Sequence, residues 1–377
     1  MDRSHLIGIF WLALLMVVHE AGHFLVARAF GMRVIRFSIG FGPPLFKVLP
    51  QDGYYWFTTA GERIRLRLWR HDPEKHGPTI YQVALIPFLA YVQIAGMNPL
   101  DEVDPNDKGS YANASLPARI LAIFAGPLAN YLFASVFFFF SFFYGGRPAY
   151  PKPGEPLPAE VSVLSYEDHP AAKAGIQTGD RVVEVAQTPV TEWKQMAEQI
   201  SKHGNEAIPV VVERNGQRVT LTITPQPDGS GKGRIGVTPF EHRVPVTTKE
   251  AMVLAIEAPP VVVKNVVLSI GEAITGKAKV ELSGPVGIVK ETAKYVRVGW
   301  PELLSFLGAL SAYLGAFNLF PIPALDGGRL LFLAYEATTR RRANAHIEAR
   351  IHFVGLLMML GLVLYITVAR DIGLHVK

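Results

Sequence analysis

His19-Glu20-Ala21-Gly22-His23 writes H-E-x-x-H into a hydrophobic run, Leu6 to Phe30. On a helix, residues i and i+4 share a face, so the two imidazoles can offer nitrogens to one metal ion. Glu20 stands beside the first histidine, where its carboxylate can take a proton from an attacking water. Three neighbouring ionisable groups are costly in apolar surroundings, which argues for a task rather than an accident. There is no cysteine in the chain. Disulfides and thiolate metal sites are therefore excluded, and His, Asp and Glu remain as ligands for zinc.

A second motif is Asn318-Leu319-Phe320-Pro321-Ile322-Pro323-Ala324-Leu325-Asp326-Gly327-Gly328. Pro321 and Pro323 cannot continue a helix, so an apolar helix before them must end or break at membrane depth. Non-helical backbone is tolerated there only inside protein or against a water-filled cavity. The break would project Asp326 inward as a third zinc ligand, leaving one position open for water. The alternative is that Asp326 caps the helix resuming at Arg329. In Ala125-Gly126-Pro127-Leu128-Ala129-Asn130, the small residues permit close helix contact, which for Gly126 points to packing. Asn130 is a candidate for orienting a histidine from behind.

What must position these groups is a membrane protein. Apolar residues make up 49% and charged residues 18% of the 377, against the usual quarter for charge. The net charge of +5 does not mark a nucleic-acid binder. Positive charge is expected on the cytoplasmic flanks of membrane spans, and no aromatic-basic platform stands out. Spans are expected at residues 1–30, 116–144, 301–346 (its apolar part Leu303 to Phe320, then the broken motif) and 347–377. The 31–115 loop carries Arg33, Arg36, Lys47, Arg63, Arg65, Arg67, Arg70 and Lys75, and the third-to-fourth connection carries Arg329, Arg340, Arg341, Arg342 and Arg350. Both are therefore expected in the cytoplasm, with the two termini and the 145–300 segment outside.

The expected fold is thus a polytopic α-helical membrane protein of about four transmembrane helices, with a small cytoplasmic β-rich region and an inserted α+β domain. Within 31–115, strands are expected near Val34 to Ile39, Tyr54 to Phe57, Ile64 to Trp69, Tyr81 to Pro87 and Tyr91 to Ile94. Gly40, Gly42, Pro43 and Pro44 interrupt them. Ile64, Leu66 and Leu68 alternate with arginines as in a half-buried strand. One of these sheet edges could pair with an extended substrate. A proline-rich linker, 145–157, leads to the domain at 158–240, where Asn215-Gly216 signals a tight hairpin turn. Segment 241–300, broken by Pro259, Pro260, Gly276 and Pro285, reads as an amphipathic stretch on the membrane surface.

H-E-x-x-H, F-A-G-P-L-A-N (Phe124 to Asn130), S-G-P-V-G-I (Ser283 to Ile288) and N-x-x-P-x-P-x-L-D-G, in this order around one inserted domain, resemble the site-2 protease family of intramembrane zinc metalloproteases, in particular its bacterial RseP-like group. The insertion resembles a PDZ domain through Pro170 to Ile176 and Gly179-Asp180. The resemblance implies a zinc enzyme of the bacterial inner membrane, with zinc on His19, His23 and Asp326, Glu20 as base, and Asn318 against the substrate backbone. It implies pre-trimmed transmembrane proteins as substrates, whose outer segments the PDZ-like domain would screen. Two departures stand out. Some relatives carry tandem PDZ domains, and Leu89-Ala90 replaces a usual glycine pair. A membrane scaffold would have no need of Glu20, and a zinc transporter would need further acidic or histidine residues along a path.

Overall fold

The first helix, α1 (Arg3–Ala29), is 27 residues long, about 40 Å at 1.5 Å per residue. The second, α2 (Leu116–Gly145), has 30 residues. They run antiparallel and touch most closely at glycine. A Cβ on Gly22 would lie 2.8 Å from both the Ala125 carbonyl carbon and the Ala129 methyl. The structure, a computed structural model, describes residues 3–73, 77–86, 90–149, 155–163, 169–228, 231–275 and 283–371.

Between these helices lies a six-stranded sheet: β1 (Val34–Ile39), β2 (Phe41–Gln51), β3 (Tyr54–Thr59), β4 (Arg65–Arg70), β5 (Ile80–Ile86) and β6 (Tyr91–Ile94), in the spatial order β4-β3-β2-β5-β1-β6. Its β6 end lies against α1. Phe24 of α1 meets Phe37 and Tyr81 edge-on, and Val34 and Ile94 join Ala27, Ala122 and Ile123 in one core.

Two expectations fail in this sheet. Gly40 does part β1 from β2, but Gly42, Pro43 and Pro44 do not break the pattern further, because β2 runs through them. The prolines are accommodated by register shifts against β5 around Pro44, where no regular ladder bond is needed. The arginine-rich strand β4 is not half-buried but exposed along its whole length. It is the outer edge, and Arg65 and Arg67 lie over the rings of Trp56 and Tyr54 at 4.6 and 4.7 Å. Of the Leu89-Ala90 departure, Leu89 lies outside the described residues together with Pro87 and Phe88; the expected linker prolines Pro151 and Pro153 and the glycine break at Gly276 lie outside them too.

The chain divides into two units, residues 1–144 with 248–377, and 145–247. The smaller one is α+β. Strand β7 (Arg147–Pro148) is followed by β8 (Val161–Val163), α3 (Pro170–Lys173), β9 (Arg181–Val185), β10 (Thr188–Pro189), α4 (Trp193–Ser201), β11 (Ile208–Arg214) and β12 (Gln217–Ile223). Asn215 and Gly216 both have positive φ, 51° and 78°, as a type I′ turn requires. Met196 and Ile200 of α4 cover Val182, Val185, Val210 and Val212. Asp180, buried at the expected turn, accepts hydrogen bonds from Gln177 N–H and the Arg214 guanidinium.

Helices α5 (Thr248–Ile274), α6 (Pro285–Val298), α7 (Trp300–Asn318), α8 (Asp326–Thr339) and α9 (Ala345–Ile366) complete the larger unit. Among the described residues four helices are long and apolar enough to cross a membrane: α1, α2, α5 and α9, the last continuing to Ala369. The inclusion of α5 corrects the sequence reading of 241–300, in which Pro259 and Pro260 break any long helix. Packing overrides the break: Ala255, Ala258, Val262 and Val263 lie against Ala134, Phe138 and Phe142 of α2 and Ala312 of α7. The expected third span, α7, is not among these four; its 19 residues form an interior helix with Leu303, Leu307 and Ala312 buried. Gly308, Ser311, Ala312 and Gly315 form a small-residue stripe, with the Ser311 hydroxyl donating to the Asn130 carbonyl.

The ends of the helices follow from their contacts. Arg119 at the start of α2 makes a paired ion bridge to Glu336 near the end of α8. Ser141 near the end of α2 donates to the carbonyl of Pro301, where α7 begins. After α9, the Asp371 carboxylate accepts from the N–H groups of Gly284 and Gly287, at 3.0 and 2.8 Å, and so caps α6. The segment between Thr248 and Gly284 therefore starts and finishes at one end of the bundle, the end where α2 and α9 finish. However deep α5 reaches, it adds no net passage from end to end.

The glycine contact at α1 and α2 predicts an asymmetry. Gly22→Ala should destabilise the protein by ~1–3 kcal/mol through overpacking. Gly361→Ala, at a helix position with open space around it, should be neutral or stabilising by up to ~1 kcal/mol. Thermal unfolding midpoints of the purified variants in one detergent check this.

Candidate active site

Each expected ligand reaches the site on its own element. His19 and His23 stand one turn apart on α1, ten and six residues before its end, so the pair lies about 10–15 Å inside that end. Both are 5% exposed. Asp326 is the first residue of α8, and Leu325 holds the N-cap position with no side-chain cap, so Asp326 is not spent on capping. Pro321 and Pro323 end α7 and turn the chain. The turn folds back so tightly that a Cβ on Gly328 would lie 2.5 Å from the Ile322 carbonyl oxygen.

The three side chains converge. The two Nε2 atoms are 3.2 Å apart, and Asp326 Oδ2 lies 3.1 Å from that of His19 and 3.2 Å from that of His23. Among the described residues this is the one group of three such side chains able to hold a metal ion. Ligands at about 2.0–2.1 Å in a tetrahedron are separated by about 3.3 Å, close to the spacing here. Asp326 Oδ2 is buried and takes no hydrogen bond, an orphan that a cation would satisfy.

The far sides of the rings decide which nitrogens are free. His23 Nδ1 donates to the Ala122 carbonyl at 2.8 Å, which leaves the Nε2 lone pair facing Asp326. His19 Nδ1 lies 3.3 Å from the Asn130 side-chain amide, where sequence reasoning expects an orienting partner. The amide fits by shape in either orientation, and chemistry selects one. With Oδ1 turned to the ring it accepts the Nδ1 proton, and the oxygen otherwise buried without a partner is satisfied. Both imidazoles then present Nε2 inward.

Gly126 proves to be more than helix packing. A Cβ there would come within 2.5 Å of His23 Cε1 and 2.9 Å of His19 Cε1, so the glycine is the floor under both rings. Glu20 lies beside the strand edge, its carboxylate close to the Val92 N–H of β6. Asn318, at the end of α7, donates its amide N–H to the Leu314 carbonyl at 3.0 Å. Its oxygen stays available as an acceptor. The arrangement is two imidazoles, one carboxylate and an adjacent second carboxylate, a set suited to metal-assisted hydrolysis.

Comparison with known proteins agrees. The sequence pattern of peptidase family M50 matches residues 7–60 and 66–362. A Bartonella henselae protein is 32% identical over 375 residues, covering 92% of this chain and 95% of its own. The proteins called zinc metalloprotease RasP in Geobacillus kaustophilus and Shouchella clausii are 29% and 28% identical. Each alignment covers 94% of this chain, with 94% and 95% of the relative. The ordered motifs, the converging side chains and these alignments have one reading: the chain belongs to peptidase family M50.

Proposed function

We propose that this membrane metalloprotease uses zinc held by His19, His23 and Asp326 to hydrolyse peptide bonds within transmembrane segments of proteins already trimmed outside the membrane, anti-sigma factors and signal-peptide remnants being examples of such substrates. The observation that carries the reading is the meeting of three ligand atoms within 4.8 Å of one another, well inside a helix long enough to span a bilayer. The names of the relatives supply the metal and the class of reaction.

Bound zinc would polarise the scissile carbonyl and raise the acidity of water near it. Glu20 takes the proton from the attacking water and delivers it to the leaving amine nitrogen. Asn130 and the Ala122 carbonyl fix the two rings, so neither turns during turnover.

A helical substrate must unwind first, since its carbonyls are tied up in its own hydrogen bonds. Strand β6 is an end strand of the sheet, next to Glu20. An unwound segment would add there as a further strand, with Asn318 accepting from its backbone. The 145–247 unit acts as a PDZ-like screen outside the membrane. The groove between α4 and residues 233–237, lined by Met196, Ala197, Ile200 and Ile235, would take the outer segment of a substrate. Helices α1, α2, α7 and α9 make the four crossings of a bacterial inner membrane, with both termini outside and the active site toward the cytoplasm. Segment 241–300 begins and ends on the outer side, and α5 dips in beside α2 without adding a net crossing.

Glu20→Gln should keep bound zinc and lower turnover ~10²-fold or more. Zinc content and cleavage by the purified protein test it, and near-normal turnover refutes the role. Asp326→Ala should lose zinc and activity together. Unchanged zinc affinity would remove Asp326 from the ligand set.

Deleting residues 160–239 keeps the β7 pairing with Arg243 and Val244, which holds the two cut ends together. Cleavage of a short pre-trimmed substrate should persist, and discrimination against bulky outer domains should relax. Loss of short-substrate cleavage in a folded, zinc-loaded deletion protein would show that the unit serves catalysis.

A further inference from the structure

The turn carrying Asp326 has few bonds of its own. Between Pro321 and Leu325 the prolines have no N–H, and three donors remain. Ile322 N–H goes to Phe320 and Leu325 N–H to Ile322, both within the turn. The third, Ala324 N–H, donates across to Nδ1 of His352 on α9 at 3.0 Å. Ala324 is the residue that most needs holding. Its φ is +76°, in the left-handed region that residues other than glycine rarely adopt.

His352 is itself held. Its ring lies 5.5 Å from Phe332 of α8. One turn further along α9, Gly355 lets the helix close onto Pro323, where a Cβ would come within 2.8 Å of the proline carbonyl. To accept at Nδ1, a neutral imidazole must carry its proton on Nε2, and that atom is buried with no partner. An apolar side chain would fill the space without leaving a buried orphan. The acceptor at Nδ1 is the one gain that offsets this cost.

We propose that His352 is a positioning residue for the metal centre. By binding the Ala324 N–H it fixes the left-handed turn two residues before Asp326 and so aims the carboxylate at His19 and His23. The proposal rests on the reading of Asp326 as a zinc ligand.

The test is zinc affinity of the full-length protein in detergent, measured by chelator competition. Three variants are compared: His352→Leu, His352→Asn and His352→Gln. The Asn amide oxygen falls near the place of Nδ1, whereas that of Gln lies one bond further out. Leu and Gln should weaken zinc binding about 10- to 100-fold, the range for partners behind a ligand. Asn should restore it to within a few-fold of the parent. Equal affinity in all variants, or equal loss in Asn and Gln, overturns the proposal. If the Leu protein does not fold, the Asn and Gln pair alone decides. Asp326→Ala in the same assay separates the two ideas: if it leaves affinity unchanged, the ligand reading fails; if it abolishes binding while His352 variants bind as the parent does, only the positioning role fails.

Discussion

The close crossing of α1 and α2 is the constraint on which the rest of this structure depends. Two helices bearing ordinary side chains stay 8–10 Å apart. Here Gly22 and Gly126 remove side chains from both sides of the contact. That closeness lets a carbonyl of α2, that of Ala122, reach His23 Nδ1, and lets Asn130 reach His19. It also buries the rings, so their hydrogen bonds form in surroundings where an unmatched polar group costs several kcal/mol. The same crossing leaves the adjoining face of α1, with Phe24, free for the sheet.

Much of the site was legible in the sequence because each element announces itself locally. H-E-x-x-H needs only helical spacing, and the paired prolines before Asp326 force a turn whatever surrounds them. Asn130 could be singled out because a lone amide in an apolar helix needs a partner. The role of Gly126 was hidden: nothing in its neighbours says that two imidazoles rest upon it. His352 was equally hidden, a single histidine in an apolar helix whose partner is a backbone N–H 28 residues away. Long-range contacts to main-chain atoms leave no residue-type signature.

The fold follows a similar division. The strands of the β-rich region were readable wherever period-two patterning held, and the missed one, β2, carries prolines that only irregular pairing tolerates. Strand β4 shows the converse. Its alternation of leucine and arginine is real, but burial depends on a covering layer that the strand itself cannot specify. For α5 the prolines pointed one way and the small residues of its buried stripe the other. Contacts with α2 and α7 settled the outcome in favour of a continuous helix.

The cap that Asp371 supplies to α6 has a consequence for biosynthesis. Helix α6 lies against the N-terminal half of α1, with Gly8 next to Val289 and Thr292. Its first turn, however, is satisfied by a carboxylate made more than eighty residues later. A ribosome releasing this chain from its N-terminus therefore produces the histidine pair long before the carboxylate that caps α6. Until that carboxylate emerges, the first turn of α6 is open. The order of synthesis thus works as a clock: a nascent chain can be inserted, and can carry its histidines, well before it is a closed machine.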